Sequence, residues 1–236
     1  VISNIILNEI ANVLEYNLRV NNINANCTIT NYDNILQNVE TSKKSDCVII
    51  FWELSNIIDD ILYTQNSISD RNLKKIEERI LNEIDYVFNS LKDTKLVIFN
   101  KFCLSQFNNR FYFETKIEKL CIILNNYIIS KKIGNVNLID LNKIFSLKGL
   151  ENYINDRDFS SIKTLYKFDF FRDYSNLITP LILNNNGRSK KVLIFDCDNT
   201  LWPGILGEDG PEEINIKLKS INGKFFYFIQ KIILDL

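Results

Sequence analysis

The chain has 236 residues, 46% of them hydrophobic, and 28 Lys and Arg balance 29 Asp and Glu for a formal net charge of −1. That length holds one large domain or two small ones around a substantial core. No basic block exceeds Lys43-Lys44 or Lys190-Lys191, so a nucleic-acid groove has no electrostatic support, and no apolar run approaches the ~20 residues of a membrane helix. The N-terminus lacks the basic-then-apolar pattern of a secretory signal.

Apolar periodicity predicts a first helix over about Asn4–Asn21. Runs rich in Val, Ile, Phe and Leu predict strands at Cys27–Ile29, Cys47–Trp52, Leu96–Phe99, Val136–Ile139 and Val192–Phe195. Most are continuously apolar, as suits a parallel sheet covered on both faces. Helices are predicted between them over about Arg71–Lys92, Arg110–Lys132 and Ser161–Leu183. Ser69-Asp70 supplies a cap before the first of these, and Gly134 follows the cations that end the second. Phe168, Phe170, Phe171, Tyr174 and Leu177 lie at helical spacing and read as core. The alternation predicts right-handed crossovers in an α/β, doubly wound parallel sheet.

The polar run Asn184–Ser189 reads as a linker. It separates a first domain, residues 1–184, from a second, residues 190–236. A strand, a loop and one helix (Phe225–Leu236) cannot bury a core independently, so the second reads as the N-terminal part of a larger domain. The five cysteines, at 27, 47, 103, 121 and 197, form no Cys-x-x-Cys pair, and histidine is absent. Scattered thiols in odd number point to reduced cysteines in a cytoplasmic protein, and a zinc site lacks its ligands.

The run from Val192 to Trp202 carries the chemistry. An apolar stretch ends in Asp196 and Asp198, and Thr200 follows. Carboxylates two apart on a strand share a face, and such a pair suits Mg²⁺, which takes one or two carboxylates plus a phosphate. Asp196 is positioned to attack phosphorus as a nucleophile and Asp198 to act as general acid. Cys197, between them, points the other way and reads as buried packing.

This segment resembles the first motif of the haloacid dehalogenase (HAD) superfamily, Asp-x-Asp-x-Thr after a buried strand. The continuation Leu201-Trp202-Pro203-Gly204-Ile205-Leu206-Gly207-Glu208-Asp209-Gly210 is similar to that of its FkbH-like branch, subfamily IIIC. The resemblance implies a Mg²⁺-dependent phosphatase or glyceryl transferase that dephosphorylates 1,3-bisphosphoglycerate and loads glyceryl onto the phosphopantetheine arm of an acyl carrier protein, often for polyketide biosynthesis. Asp196 is then nucleophile and metal ligand, and Asp198 is acid/base and binds the metal through its backbone carbonyl. Thr200 steadies the loop, Trp202 walls the site, and Gly204, Gly207 and Gly210 let the backbone turn near a phosphate. A plain HAD phosphatase would use the same residues. The later motifs of that family have no counterpart before Leu236, so the 236-residue chain by itself reads as inactive.

In that family the preceding region resembles an SGNH-hydrolase-like, flavodoxin-like α/β domain, which makes the second domain the first strand-loop-helix of a HAD-like Rossmannoid fold. The resemblance implies a crevice at the strand ends lined by Ser3, Asn34, Glu53 and Asn56. SGNH chemistry needs a histidine to take the serine proton, and the region Asp156–Lys163 has none. A non-catalytic module that docks a carrier protein or a second copy of itself is therefore the alternative, with Ser3 read as a helix N-cap.

Overall fold

Residues 1–7, 9–58, 67–104, 114–188, 190–212, 214, 216 and 220–235 are described in the computed structural model. They divide into two units, Val1–Arg188 and Ser189–Leu236.

The first unit is built on a parallel sheet of strands β1 (Ile2–Ser3), β2 (Cys47–Phe51), β3 (Leu96–Asn100) and β4 (Val136–Ile139), adjacent in that order. Ile2 pairs with Ile50, Ile50 with Phe99, and Phe99 with Leu138. All five residues of β3 are buried, so both faces of the sheet are covered. The crossovers carry α1 (Ile10–Val20), α2 (Ile35–Ser42), α3 (Asp70–Ser90) and α4 (Lys116–Lys131). After β4 come α5 (Leu141–Lys148), α6 (Asp156–Ile162) and α7 (Phe168–Asn185).

Register and pleat decide which helix covers which face. Phe99 is in register with Ile50, so Phe51 points to the opposite side. Phe99 packs edge-on against Phe88 of α3. Phe51 meets Phe170 and Tyr174 of α7 together with Tyr166. Thus α3 lies on one face with α2 and α4 beside it, and α7 lies on the other with α1 and α5. The helix starts follow the sequence: Ser69 accepts from Asn72 N (3.3 Å), and Thr115 and Glu118 form a reciprocal capping box.

Several expectations are corrected. Cys27–Ile29 builds no ladder. Instead, Val1 N donates to Thr28 O (2.5 Å) and Thr30 N to Val1 O (2.9 Å), a single parallel contact on the edge of β1 away from β2. Counting this segment, the strand succession reverses at β1. Helix α1 starts at Ile10, not Asn4, because buried Ile5 and Leu7 continue beyond β1 and Ile6 N donates to Lys163 O (3.0 Å). The helix expected over Ser161–Leu183 is broken. Lys163 is left-handed (φ 57°) at the end of α6, and Tyr166 pairs with Ile154 and enters the core before α7 begins. In the aromatic stripe Phe170, Phe171 and Tyr174 are buried, whereas Phe168 and Leu177 face out. The start of the helix expected from Arg110 falls outside the described residues.

In the second unit the expected strand Val192–Phe195 is not formed, and Ile194 is 92% exposed. A parallel strand needs hydrogen-bonding neighbours, and no described residue supplies one. Cys197 is exposed, not buried. A short helix α8 (Leu206–Asp209) precedes α9 (Ile221–Leu234), which starts four residues before Phe225 because Ser220 caps it by accepting from Gly223 N (2.9 Å). Among the described residues no helix is long and apolar enough to cross a membrane.

Phe170 is fully buried and stacks on Tyr166 at 3.8 Å. Phe170→Ala should destabilise the first unit by about 3–5 kcal/mol, read as a lower urea midpoint; an unchanged midpoint would refute its place at the centre of this core.

Candidate functional site

Two sets of polar side chains stand out, one in each unit. The first lies where β1 and β2 end. Asn4 N continues the ladder to Phe51 O (3.2 Å). Its side-chain amide then takes over from the backbone, donating to Glu53 O (2.8 Å) and accepting from Glu53 N (2.7 Å). Asn56 Nδ2 donates to Asn4 O (2.6 Å) and to the Tyr32 hydroxyl (3.1 Å).

Glu53 is 2% exposed. Its Oε1 accepts from the Tyr166 hydroxyl (2.6 Å), and Oε2 has no partner among the described residues. Burial pushes the carboxyl up to about 7, with the Tyr166 bond pulling only partly the other way. Burial and the facing carboxyl hold the Tyr166 phenol well above its ordinary value.

Ser3 is buried on β1 and is not a helix N-cap; its Oγ accepts from Ile5 N (3.0 Å). Among the described residues no hydrogen bond joins Ser3 Oγ to a base. A cleft of about 320 Å³ opens above this point, lined by Asn34 and Asn56 among others. Ser3 and Glu53 lie outside its lining, so the four residues expected in one crevice separate into two exposed to it and two buried away from it.

Sequence reasoning missed Asn4 and Tyr166. Asn4 is adjacent to Ser3 but carries no signal of its bidentate role. Tyr166 stands three residues beyond the histidine-free segment Asp156–Lys163 and 113 residues from its partner.

The second set is the loop after Phe195, and it is closed locally. Asn199 is left-handed (φ 54°); its N–H donates to Gly204 O (3.2 Å) and its Oδ1 accepts from Gly204 N (2.9 Å). Thr200 N and Leu201 N both donate to Cys197 O (3.2 and 2.8 Å). Asp198 Oδ1 accepts from Trp202 Nε1 (2.9 Å) and Leu206 N (3.1 Å). Asp196 is exposed, and its Oδ1 accepts from Cys197 N (2.8 Å). Asp209 Oδ2 accepts from Ile205 N (2.8 Å). Gln230 of α9 donates to Leu201 O (2.6 Å), which ties the helix to the loop.

Gly204 is required on two counts. Its φ is +89°, and a Cβ there would meet Asp209 Oδ2 at 2.7 Å. At Gly207, inside α8, a Cβ would meet nothing within 4 Å. Among the described residues no three His, Cys, Asp or Glu side chains gather to hold a metal ion. Asp196 and Asp198 are nevertheless oxygen donors of the kind taken by Mg²⁺, which commonly keeps its waters and completes its shell with substrate phosphate. Oxygen donors of this kind suit that ion and not a softer metal.

No family model matches the chain, and no curated protein does. Among solved structures it is similar to the crystal structure of the N-terminal part of the protein BF1531 from Bacteroides fragilis, which contains a phosphatase domain and is complexed with Mg. The TM-score is 0.73 at 18% identity, and the match covers 100% of this chain and 64% of that one. The likeness shows the fold, and this chain spans less than two thirds of that structure's length.

Two outcomes follow from the geometry. The folded-state value of Glu53, about 7, lies above the ordinary 4.5, so its contribution to stability is fully present below about pH 4.5 and is lost as pH rises through about 7. The loss is on the order of 3 kcal/mol. Glu53→Gln should flatten that part of the pH–stability curve; urea midpoints that fall in parallel with the parent would contradict it. Gly204→Ala should strain the second loop by about 1–3 kcal/mol. NMR would then show faster exchange of the Trp202 indole N–H as its bond to Asp198 opens, and unchanged exchange would count against the tight turn.

Proposed function

We propose that the second unit contributes the aspartate pair of a Mg²⁺-dependent phosphatase centre of HAD type. The observation that carries this reading is the loop Asp196–Asp209, in which Trp202 and Leu206 N–H groups fix Asp198 while Asp196 stays exposed at its entrance. The match to a solved protein with a phosphatase domain and bound Mg supports it.

In this reading Asp196 and Asp198 hold the metal, which supplies charge neutralisation at the phosphoryl oxygens when bound. Asp196 attacks phosphorus. Asp198 gives a proton to the leaving oxygen and later takes one from water, with the Trp202 and Leu206 bonds keeping its carboxyl aimed. Thr200 anchors the turn through its backbone. The finer reading is an FkbH-like protein that removes phosphate from a three-carbon acyl phosphate and loads the acyl group onto a carrier protein in the cytoplasm. It rests on the run Leu201–Gly210, which the Asp209–Ile205 and Asn199–Gly204 bonds make a structural unit. The first unit is then the SGNH-like partner domain.

A second reading, a module that docks a carrier protein or a second copy, is favoured by the exposed apolar residues Val192, Leu193 and Ile194, and Phe225, Phe228 and Ile232 on α9. The two readings separate on one experiment. With Mg²⁺ and a generic phosphomonoester, the enzymatic reading expects turnover that EDTA removes and that Asp196→Asn lowers by ~10²-fold or more. It also expects Mg²⁺ to shift the Trp202 indole resonance in the parent and not in Asp196→Asn. Turnover that survives Asp196→Asn, or no turnover and no Mg²⁺ shift, leaves the docking module.

A further inference from the structure

The cleft at the end of the sheet is not used by the aspartate chemistry of the other unit, and its lining is specific about what it accepts. It lies between α2 and α3, at the ends of β1 and β2, where the strand succession reverses. Ligands in open α/β sheets bind at such a point, outside the carboxyl ends of the strands. The surroundings are rigid. Asn38 Nδ2 holds Asn31 O (2.6 Å), Asp33 N holds Ser3 O (3.3 Å), and the Asn4 amide fixes both backbone groups of Glu53 below.

The hydrogen-bonding groups left over on its walls are acceptors on Asn56, Asn34 and Glu83, with donors on Arg79 and Asn34 beside them. Asn56 Nδ2 is taken by Asn4 O and Tyr32, which leaves its Oδ1. Asn34 gives one of its two amide N–H groups to Gln37, which leaves the other and the amide oxygen. Glu83 has Arg79 at 3.6 Å and no other donor among the described residues. Burial pushes its carboxyl up, and Arg79 only partly offsets that. A ligand whose groups both donate and accept is therefore matched.

An anion would face the carboxylates of Asp33 and Glu83. A cation would face the Arg79 guanidinium, which lines the same cleft. What remains is a neutral molecule rich in hydroxyls. Trp52 and Ile57 present apolar surface beside these acceptors, a mixture that fits a ring with hydroxyls on its edge and C–H groups on its face. At about 320 Å³ the cleft lies at the small end of ligand pockets, roughly ten water volumes, room for one ring and not a chain.

We infer that this cleft is a binding site for a small neutral polyol the size of a single sugar ring, held by the Asn34 and Asn56 amide oxygens and the Glu83 carboxylate against Trp52 and Ile57. The test uses the whole 236-residue chain with D-glucose as probe, followed by saturation-transfer NMR and by titration of backbone resonances. Saturable millimolar binding is expected, with shifts at residues 33–36 and 52–57. Glu83→Ala should weaken it about tenfold. Asn34→Trp, a change at an exposed position, should abolish it by filling the mouth while thermal unfolding stays that of the parent. Absence of saturable glucose binding would overturn the assignment. So would equal affinity in the parent and Asn34→Trp, or tighter binding of inorganic phosphate or ethanolamine at the same residues.

Discussion

The first unit depends on one side chain standing in for backbone. Strand β1 is only two residues long, and a parallel ladder that short does not hold its neighbour in place. The Asn4 amide extends it by pairing with both peptide groups of Glu53, as another strand residue would. Everything at this end of the sheet follows from that bond. It fixes the turn through Leu54–Asn56, brings the Glu53 carboxyl under the sheet edge, and gives Tyr166 the partner that draws the 163–167 segment inward. Tyr166 in turn stacks on Phe170, so the amide at one strand end is connected through two rings to the aromatic core under α7.

Strands β2, β3 and β4 were legible because each is a short apolar run flanked by polar residues, and burial on both faces leaves that pattern in the local sequence. Cys27–Ile29 and Val192–Phe195 carry the same pattern and are not strands. The pattern reports that residues avoid water, whereas a strand also requires a hydrogen-bonded neighbour, which lies far away in sequence. Among the described residues Cys27–Ile29 finds only Val1 as a strand partner, and Val192–Phe195 finds none. The break between α6 and α7 was hidden for a similar reason: helical periodicity runs on through Lys163–Lys167, but the link from Tyr166 to Glu53, 113 residues away, overrides it.

The two polar sets differ in legibility on the same physical ground. The Asp196–Asp209 loop is closed by bonds spanning at most eight residues, such as Leu206 N to Asp198, so its sequence carries its geometry. At the strand ends the functional distinction, which of Ser3, Asn34, Glu53 and Asn56 faces the cleft and which faces the core, is set by packing among four separate segments. Residue type at a strand end shows only that polar groups gather there.

The strand order has a consequence for how the molecule comes to exist. Because β1 to β4 are adjacent in chain order, each new strand emerging from a ribosome finds its neighbour already waiting, and the α3 and α4 side of the sheet is covered as it grows. The opposite side is different. Although α1 on that side is made early, Phe51 waits for its ring partners on α7, which is made more than a hundred residues later. A nascent chain paused before Phe168 would present apolar sheet surface to solvent, the kind of surface that chaperones hold and that partly made chains use to find one another.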